Sequence, residues 1–387
     1  MPDQVMTFRE LLAPISPEDF FKDYFGKQIL HLEGPADRYS DIFSWQEMNN
    51  LLRMSTIWSS KTLELSADGH PFPAERYCYE GVSRDNEKIM RPDFDRVKQH
   101  LRNGASLTLN FMGRLSPGLR SLSQTFEAVF CGPVNITAFC SWDAVAAYPS
   151  HFDTTSVFVC QIDGEKTWNI YDGRMLNAAQ VPGQRTSDYP DEYHEKAKGS
   201  LQHQLVLKPG DILYLPNGQY HDAVASSNAS LHISLAVRHY TGYDFISLLT
   251  GHLPKDPLFR EQLPPLDHVL GPTDYRKRLS GRLNEILSTQ QIAQELRQFL
   301  HSKAFEGIVE FDLPNRGDFR HFRVRWMSYR LEEKEGRPHL TGPSGPRELT
   351  QDGAKMVQWA LDRDYFSNVV FVEAFQDLEP SLLSETL

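Results

Sequence analysis

At 387 residues the chain exceeds one ordinary compact core, so two or three structural units are expected. With 40% hydrophobic, 11% aromatic and 24% charged residues it reads as globular rather than disordered or fibrous. The formal charge of -11 argues against a general nucleic-acid binder, which needs a basic surface for counterion release.

Four cysteines, Cys78, Cys131, Cys140 and Cys160, show neither metal-ligand pairing nor a disulfide framework, and read as buried thiols of a reducing compartment. The first twenty residues lack a basic leader followed by a long apolar run, and no stretch reaches membrane-spanning length. The expected location is therefore cytoplasmic.

In chain order, Ser16 before Pro17 reads as an N-cap with a helix-starting proline, followed by Phe20, Phe21, Tyr24 and Phe25 at helical spacing. These aromatics are expected in the core. A helix over 45–54 and a short strand over 62–65 follow; then come an alternating stretch at 107–111, a helix over 119–130 and a further alternation at 134–139. Between Val145 and Val237 strand residues and turn residues dominate, with expected strands at 156–162, 166–171, 205–207, 211–215 and 231–237. Gly164 turns a hairpin, and Lys208-Pro209-Gly210-Asp211 is a turn signal. Short strands at close intervals imply a sandwich or barrel. Helical periodicity returns at 275–287 and 290–299. From about Phe305, strand-like pieces at 322–326 and 369–372 flank a helix over 351–362, as in a small winged-helix-like unit.

The chemistry concentrates in Tyr148-Pro149-Ser150-His151-Phe152-Asp153. Extended backbone repeats every two residues, so His151 and Asp153 share a face. His221, after Pro216-Asn217-Gly218-Gln219-Tyr220, offers a third ligand from the same predicted barrel. Two histidines and a carboxylate on one side of a metal leave positions open, the arrangement of non-haem iron(II) oxygenases. Because fourteen histidines give roughly one His-x-Asp by chance, the spacing alone is weak. Lys166 supplies the context: it starts the strand returning from the Gly164 turn, where the bland reading is a solvated lysine beside a turn, but apolar neighbours make it a candidate ammonium for the distal carboxylate of 2-oxoglutarate. Ser234 is a candidate second contact for that cosubstrate, with a serine bonded to its own backbone as the bland reading.

His151-Phe152-Asp153, Lys166 fifteen positions after His151, and Lys208 to Pro216 leading into His221 together resemble the JmjC/cupin-4 ribosomal oxygenases. The resemblance extends to Phe8-Arg9-Glu10-Leu11-Leu12, to Gly104 to Asn110 and to Gln161 to Trp168, so it covers roughly the first 240 residues. It implies a mainly β chain with helices: a double-stranded β-helix core in residues 1–243, a helical dimerisation region in 244–304 and a winged-helix-like C-terminal domain in 305–387. It further implies iron(II) held by His151, Asp153 and His221, 2-oxoglutarate held by Lys166 and Ser234, and dioxygen as co-reactant. The substrate it implies is a side chain of a protein or peptide, in a ribosomal protein or a natural-product precursor peptide, and the assembly a homodimer. Two other classes compete: a metal-binding cupin without oxygenase activity, such as an isomerase or small-ligand binding module, and a non-enzymatic interaction protein. Only the oxygenase requires Lys166 beside the triad. The segment 140–148 lacks the glycine-rich approach common in the ribosomal enzymes.

Overall fold

The computed structural model describes residues 6–67, 69–82, 86–142, 148–178, 189–225, 229–262, 273–303, 311, 313–314 and 320–378. Most of the 140–148 approach and the expected domain boundary near 305 lie outside these residues.

Among the described residues thirteen strands build the first two thirds of the chain: β1 (Leu30–Leu32), β2 (Leu63–Ala67), β3 (His70–Pro71), β4 (Cys78–Val82), β5 (Lys88–Pro92), β6 (Ser106–Leu109), β7 (Val134–Ser141), β8 (Ser156–Asp163), β9 (Lys166–Arg174), β10 (Leu201–Leu207), β11 (Ile212–Leu215), β12 (Gln219–Ala225) and β13 (Ser230–Val237). The large sheet runs β1-β11-β8-β13-β7-β6-β2-β3 and the small one β10-β9-β12, while β4 and β5 pair separately. An antiparallel bridge between His151 and His221 extends the small sheet beyond β12. From β8 to β13 the chain thus alternates between the two sheets, except that β9 and β10 are neighbours in the small one. This is the expected double-stranded β-helix.

Period-two alternation decides what each face buries. Phe158, Cys160, Tyr214, Ile233 and Leu235 join the large core, where Leu119, Leu122 and Phe126 of the helix Pro117–Phe130 cover the outside of the large sheet. Val157, Val159, Leu213 and Leu215 point the other way and meet Trp168, Ile170 and Leu207 of the small sheet. That helix starts where its sequence dictates: Ser116 Oγ accepts from the Leu119 amide and Pro117 takes a first-turn position that needs no amide.

Of the aromatic run near the N-terminus Phe20 is buried and Phe21, Tyr24 and Phe25 partly so, but they do not lie in one regular helix. Ser16 caps a single turn, Pro17–Asp19, which passes into a wide π-turn over Phe20–Tyr24. Phe20 sits among Phe8, Phe158 and Tyr214, with ring centroids 5.6, 5.8 and 4.9 Å away.

Beyond Gly242 the expected helices appear as Thr273–Leu287 and Gln290–Lys303. The C-terminal part holds β14 (His321–Arg323), β15 (Arg330–Lys334), β16 (Arg337–Gly342), β17 (Gly345–Glu348) and β18 (Tyr365–Ser367), with a helix over Gln351–Leu361. Strand β14 is shorter than expected and pairs with β18, whereas β15, β16 and β17 form their own sheet. The strand expected at 369–372 is instead a helix, Asn368–Ala374. Its β-branched valines favour strand, but Ser367 Oγ accepts from the Val370 amide and Phe371 packs with Met356, so cap and burial override propensity.

Candidate metal centre

Residues 149–153 run extended beside the start of β12. His151 and His221 exchange both backbone hydrogen bonds, at 3.0 and 2.9 Å, and the Gly218 amide donates to the Asp153 carbonyl at 2.7 Å. Side chains 151 and 153 therefore emerge on one face together with that of 221. Phe152 and Tyr220 point away and pack against each other, ring centroids 5.3 Å apart. The turn into β12 requires Gly218: its φ is +78°, and a Cβ there would lie 1.8 Å from the Met175 carbonyl oxygen.

The sequence-predicted triad comes together. One donor atom from each of His151, Asp153 and His221 lies within 4.8 Å of the others, and His221 Nε2 is 3.7 Å from Asp153 Oδ2. His151 Nδ1 is 2.8 Å from the Pro149 carbonyl, and His221 Nδ1 is 2.9 Å from that of Gln219. A carbonyl only accepts, so in both rings Nδ1 carries the proton and Nε2 keeps its lone pair toward the common centre. Burial, followed by the neighbouring His151 ring, pushes His221 down to about 4, so its imidazole stays neutral and ready to ligate. His151 and Asp153 remain half-exposed, leaving one side of the centre open. The donor set and its orientation fit a divalent metal with free coordination positions.

Asp222, on the opposite face of β12, anchors the triad. Its carboxylate accepts from Ser150 Oγ at 2.7 Å, Tyr171 Oη at 2.6 Å and Asn169 Nδ2 at 2.8 Å, tying the His151 segment to β9 and β12. Burial raises its pKa, but these three donors outweigh it and hold the carboxyl below its ordinary value.

The centre opens into a cavity of about 350 Å³ between the sheets, lined by the triad, Lys166, Trp168, His232 and Ser234 among others. Lys166 is 3% exposed, and its Nζ donates to Ser141 Oγ at 3.3 Å. It makes no ion pair among the described residues, and burial pushes it down to about 8. A buried ammonium facing a cavity is suited to pair with an anion. Ser234 lies half-buried on the inner face of β13, opposite Thr137 of β7, and reaches the same cavity.

Sequence reasoning missed His232. The same period-two rule that grouped His151 with Asp153 places His232 on the face of Ser234, so the signal was present in Leu231-His232-Ile233-Ser234. It also missed Tyr148, whose hydroxyl lies 3.3 Å from Thr108 Oγ1 on the cavity wall. Thr108 belongs to β6, and no spacing in the sequence announces that contact.

Residues 119–245 match the family model described as the JmjC domain. The chain is 25% identical over 331 residues to ribosomal oxygenase 2 of Mus musculus, covering 79% of this chain and 64% of that protein. It is 27% identical over 237 residues to the bifunctional lysine-specific demethylase and histidyl-hydroxylase NO66 of Drosophila willistoni, covering 60% and 29%. The chain thus spans between under a third and just under two thirds of the length of these curated relatives. The crystal structure of the Escherichia coli ribosomal oxygenase YcfD shares the fold, with 17% identity, a TM-score of 0.52, and 96% of this chain and 94% of that one covered. Residues 119–245, which hold the triad and strands of both sheets, are thus similar to a JmjC domain over that span.

Proposed function

We propose that the chain is an iron(II)- and 2-oxoglutarate-dependent oxygenase that hydroxylates a side chain of a protein or peptide. The observation that carries this reading is the pairing of two features in one cavity: a His-Asp-His triad with both Nε2 atoms directed at one point, and a buried Lys166 without a counter-charge among the described residues. A cupin that only binds metal has no use for the second. Iron(II) at the triad, with 2-oxoglutarate and dioxygen, supplies the oxidant for hydroxylation while 2-oxoglutarate leaves as succinate and carbon dioxide. This chain's own residues do the rest. His151, Asp153 and His221 hold the metal, Lys166 neutralises the distal carboxylate, and Ser234 adds a hydroxyl on the facing sheet. Val157, Trp168 and the ring of Phe139 make part of the cavity wall apolar.

The half-exposed side of the triad is where a substrate side chain enters. Ribosomal proteins are the favoured substrate class, on the strength of the relatives named ribosomal oxygenases, and a cytoplasmic site of action goes with it; a natural-product precursor peptide presents the same extended shape. The same reading assigns residues 244–304 to pairing of two copies and residues 305–387 to a winged-helix-like unit. Among the described residues no helix is long and apolar enough to cross a membrane.

The test is succinate formation by iron(II)-loaded protein with 2-oxoglutarate under air, with and without a ribosomal-protein peptide pool. Peptide-stimulated succinate in wild type and none in His151→Ala is the expected result. An absence of succinate together with no 2-oxoglutarate binding at an occupied metal site overturns the reading in favour of the metal-binding cupin.

A further inference from the structure

The cavity holds a third histidine that the metal does not use. His232 is 2% exposed, its ring lies flat against Phe139 with centroids 4.8 Å apart and planes 8° apart, and Trp168 stands edge-on to it at 5.6 Å. Trp168 in turn lies 5.7 Å from the ring of His221. The register gives the direction of the cavity. Along β9 and β12, Ile170 pairs with His221, Trp168 with Ala223 and Lys166 with Ala225, so the path from the metal ligands to Lys166 passes Trp168. On the facing sheet His232 pairs with Phe139, and Ser230 pairs with Ser141, the hydroxyl that Lys166 touches. His232 therefore stands on the step between the metal ligands and the lysine.

Neither His232 Nδ1 nor Trp168 Nε1 has a hydrogen-bond partner within the described residues. Buried polar atoms are nearly always paired, and leaving one orphaned is costly unless a ligand completes it. A carboxylate offers more lone pairs than Lys166 alone occupies. Resting on the oxygenase reading, we propose that His232 is a binding residue for the distal carboxylate of 2-oxoglutarate, donating an N–H to one oxygen while Lys166 holds the other. Burial, then the neighbouring Lys166 ammonium, keeps His232 well below its ordinary pKa, so the ring is neutral. That suits the charge balance: one ammonium matches one carboxylate, and a neutral imidazole adds a donor without adding charge.

The experiment titrates cobalt(II)-loaded protein calorimetrically with 2-oxoglutarate and with pyruvate, which keeps the 2-oxo acid and lacks the distal carboxylate. His232→Phe preserves the flat ring on Phe139 and removes the nitrogens. It is expected to weaken 2-oxoglutarate about ten- to a hundredfold and leave pyruvate and cobalt binding unchanged, with His232→Gln recovering part of the loss. Equal weakening of both acids, or no weakening of either, overturns the role. Wild-type protein that binds neither acid at an occupied metal site overturns the oxygenase reading as well, which separates the two failures. A readout independent of any variant is the imidazole nitrogen resonance of His232 in zinc-loaded wild type. It must shift with 2-oxoglutarate and stay in place with pyruvate, and an unmoved resonance with both overturns the assignment.

Discussion

Lys166 shows at the scale of one residue how a site is maintained against stability. Its folded pKa of about 8 lies below the ordinary 10.5, a drop worth on the order of 3 kcal/mol of burial cost to the ammonium. Between these values the unfolded chain binds more protons than the folded one, so this group's contribution to stability rises with pH from about 8 to 10.5. Below 8 the full cost is present. Lys166→Met, which fills the same space without charge, is expected to raise the melting temperature of the ligand-free protein at pH 7 while 2-oxoglutarate binding is lost. A melting curve and a binding titration on the same sample check both halves. In wild type the affinity for 2-oxoglutarate is expected to fall as pH rises through about 8, because the carboxylate needs the ammonium form. A flat binding profile from pH 7 to 9.5 counts against Lys166 as the clamp.

At the scale of elements, the triad depends on how an extended segment is fastened to β12. Backbone pairing of His151 with His221 sets the register, and Asp222 locks it through Ser150, Tyr171 and Asn169. Asp222→Ala strands three donors and is expected to cost about 1–3 kcal/mol in stability and ten- to a hundredfold in metal affinity. Metal titration monitored by competition with a chelator would read the second effect, and unchanged affinity would mean that the backbone bridge alone positions His151. Neighbouring side chains on one strand were legible in advance, since alternation is a local property: His151 with Asp153, and Lys166 on the strand after Gly164. Strand β10 extends to Leu201–Leu207, beyond the expected 205–207, because the exposed Gln202-His203-Gln204 carries no apolar alternation. The valines of Asn368–Ala374 favour a strand, and only the folded Ser367 cap makes it a helix.

At the scale of the whole molecule, the C-terminal part is fastened to the N-terminal end of the chain. The Phe8 amide donates to Asp364 Oδ2 at 2.7 Å, Trp326 Nε1 donates to Asp364 Oδ1 at 2.8 Å, and the Arg9 guanidinium lies over the Trp326 ring. Tyr365 Oη donates to Gln124 Oε1 at 2.8 Å, on the helix that covers the large sheet. Burial raises the Asp364 carboxyl, which makes its two donors the more important. Asp364→Ala is expected to cost about 1–3 kcal/mol and to increase proteolytic cutting in the C-terminal part, with metal binding at the triad preserved. Limited proteolysis with a parallel metal titration checks this.

The sequence by itself determined the mainly β class of the core, the three candidate metal ligands, the lysine of the cavity and the helical texture after the barrel. The strands and helices follow from short-range periods of two and of 3.6, whereas the grouping of His221 with His151 and Asp153 rested on the family resemblance. Only the tertiary structure decided what faces what. That His221 joins a segment seventy residues earlier, that Asp222 fastens it, that His232 lies between the metal ligands and Lys166, and that Asp364 receives the Phe8 amide are all contacts between distant strands and helices. Such contacts follow from strand register and sheet order, which are set by global burial of both sheet faces and leave no mark in any local spacing.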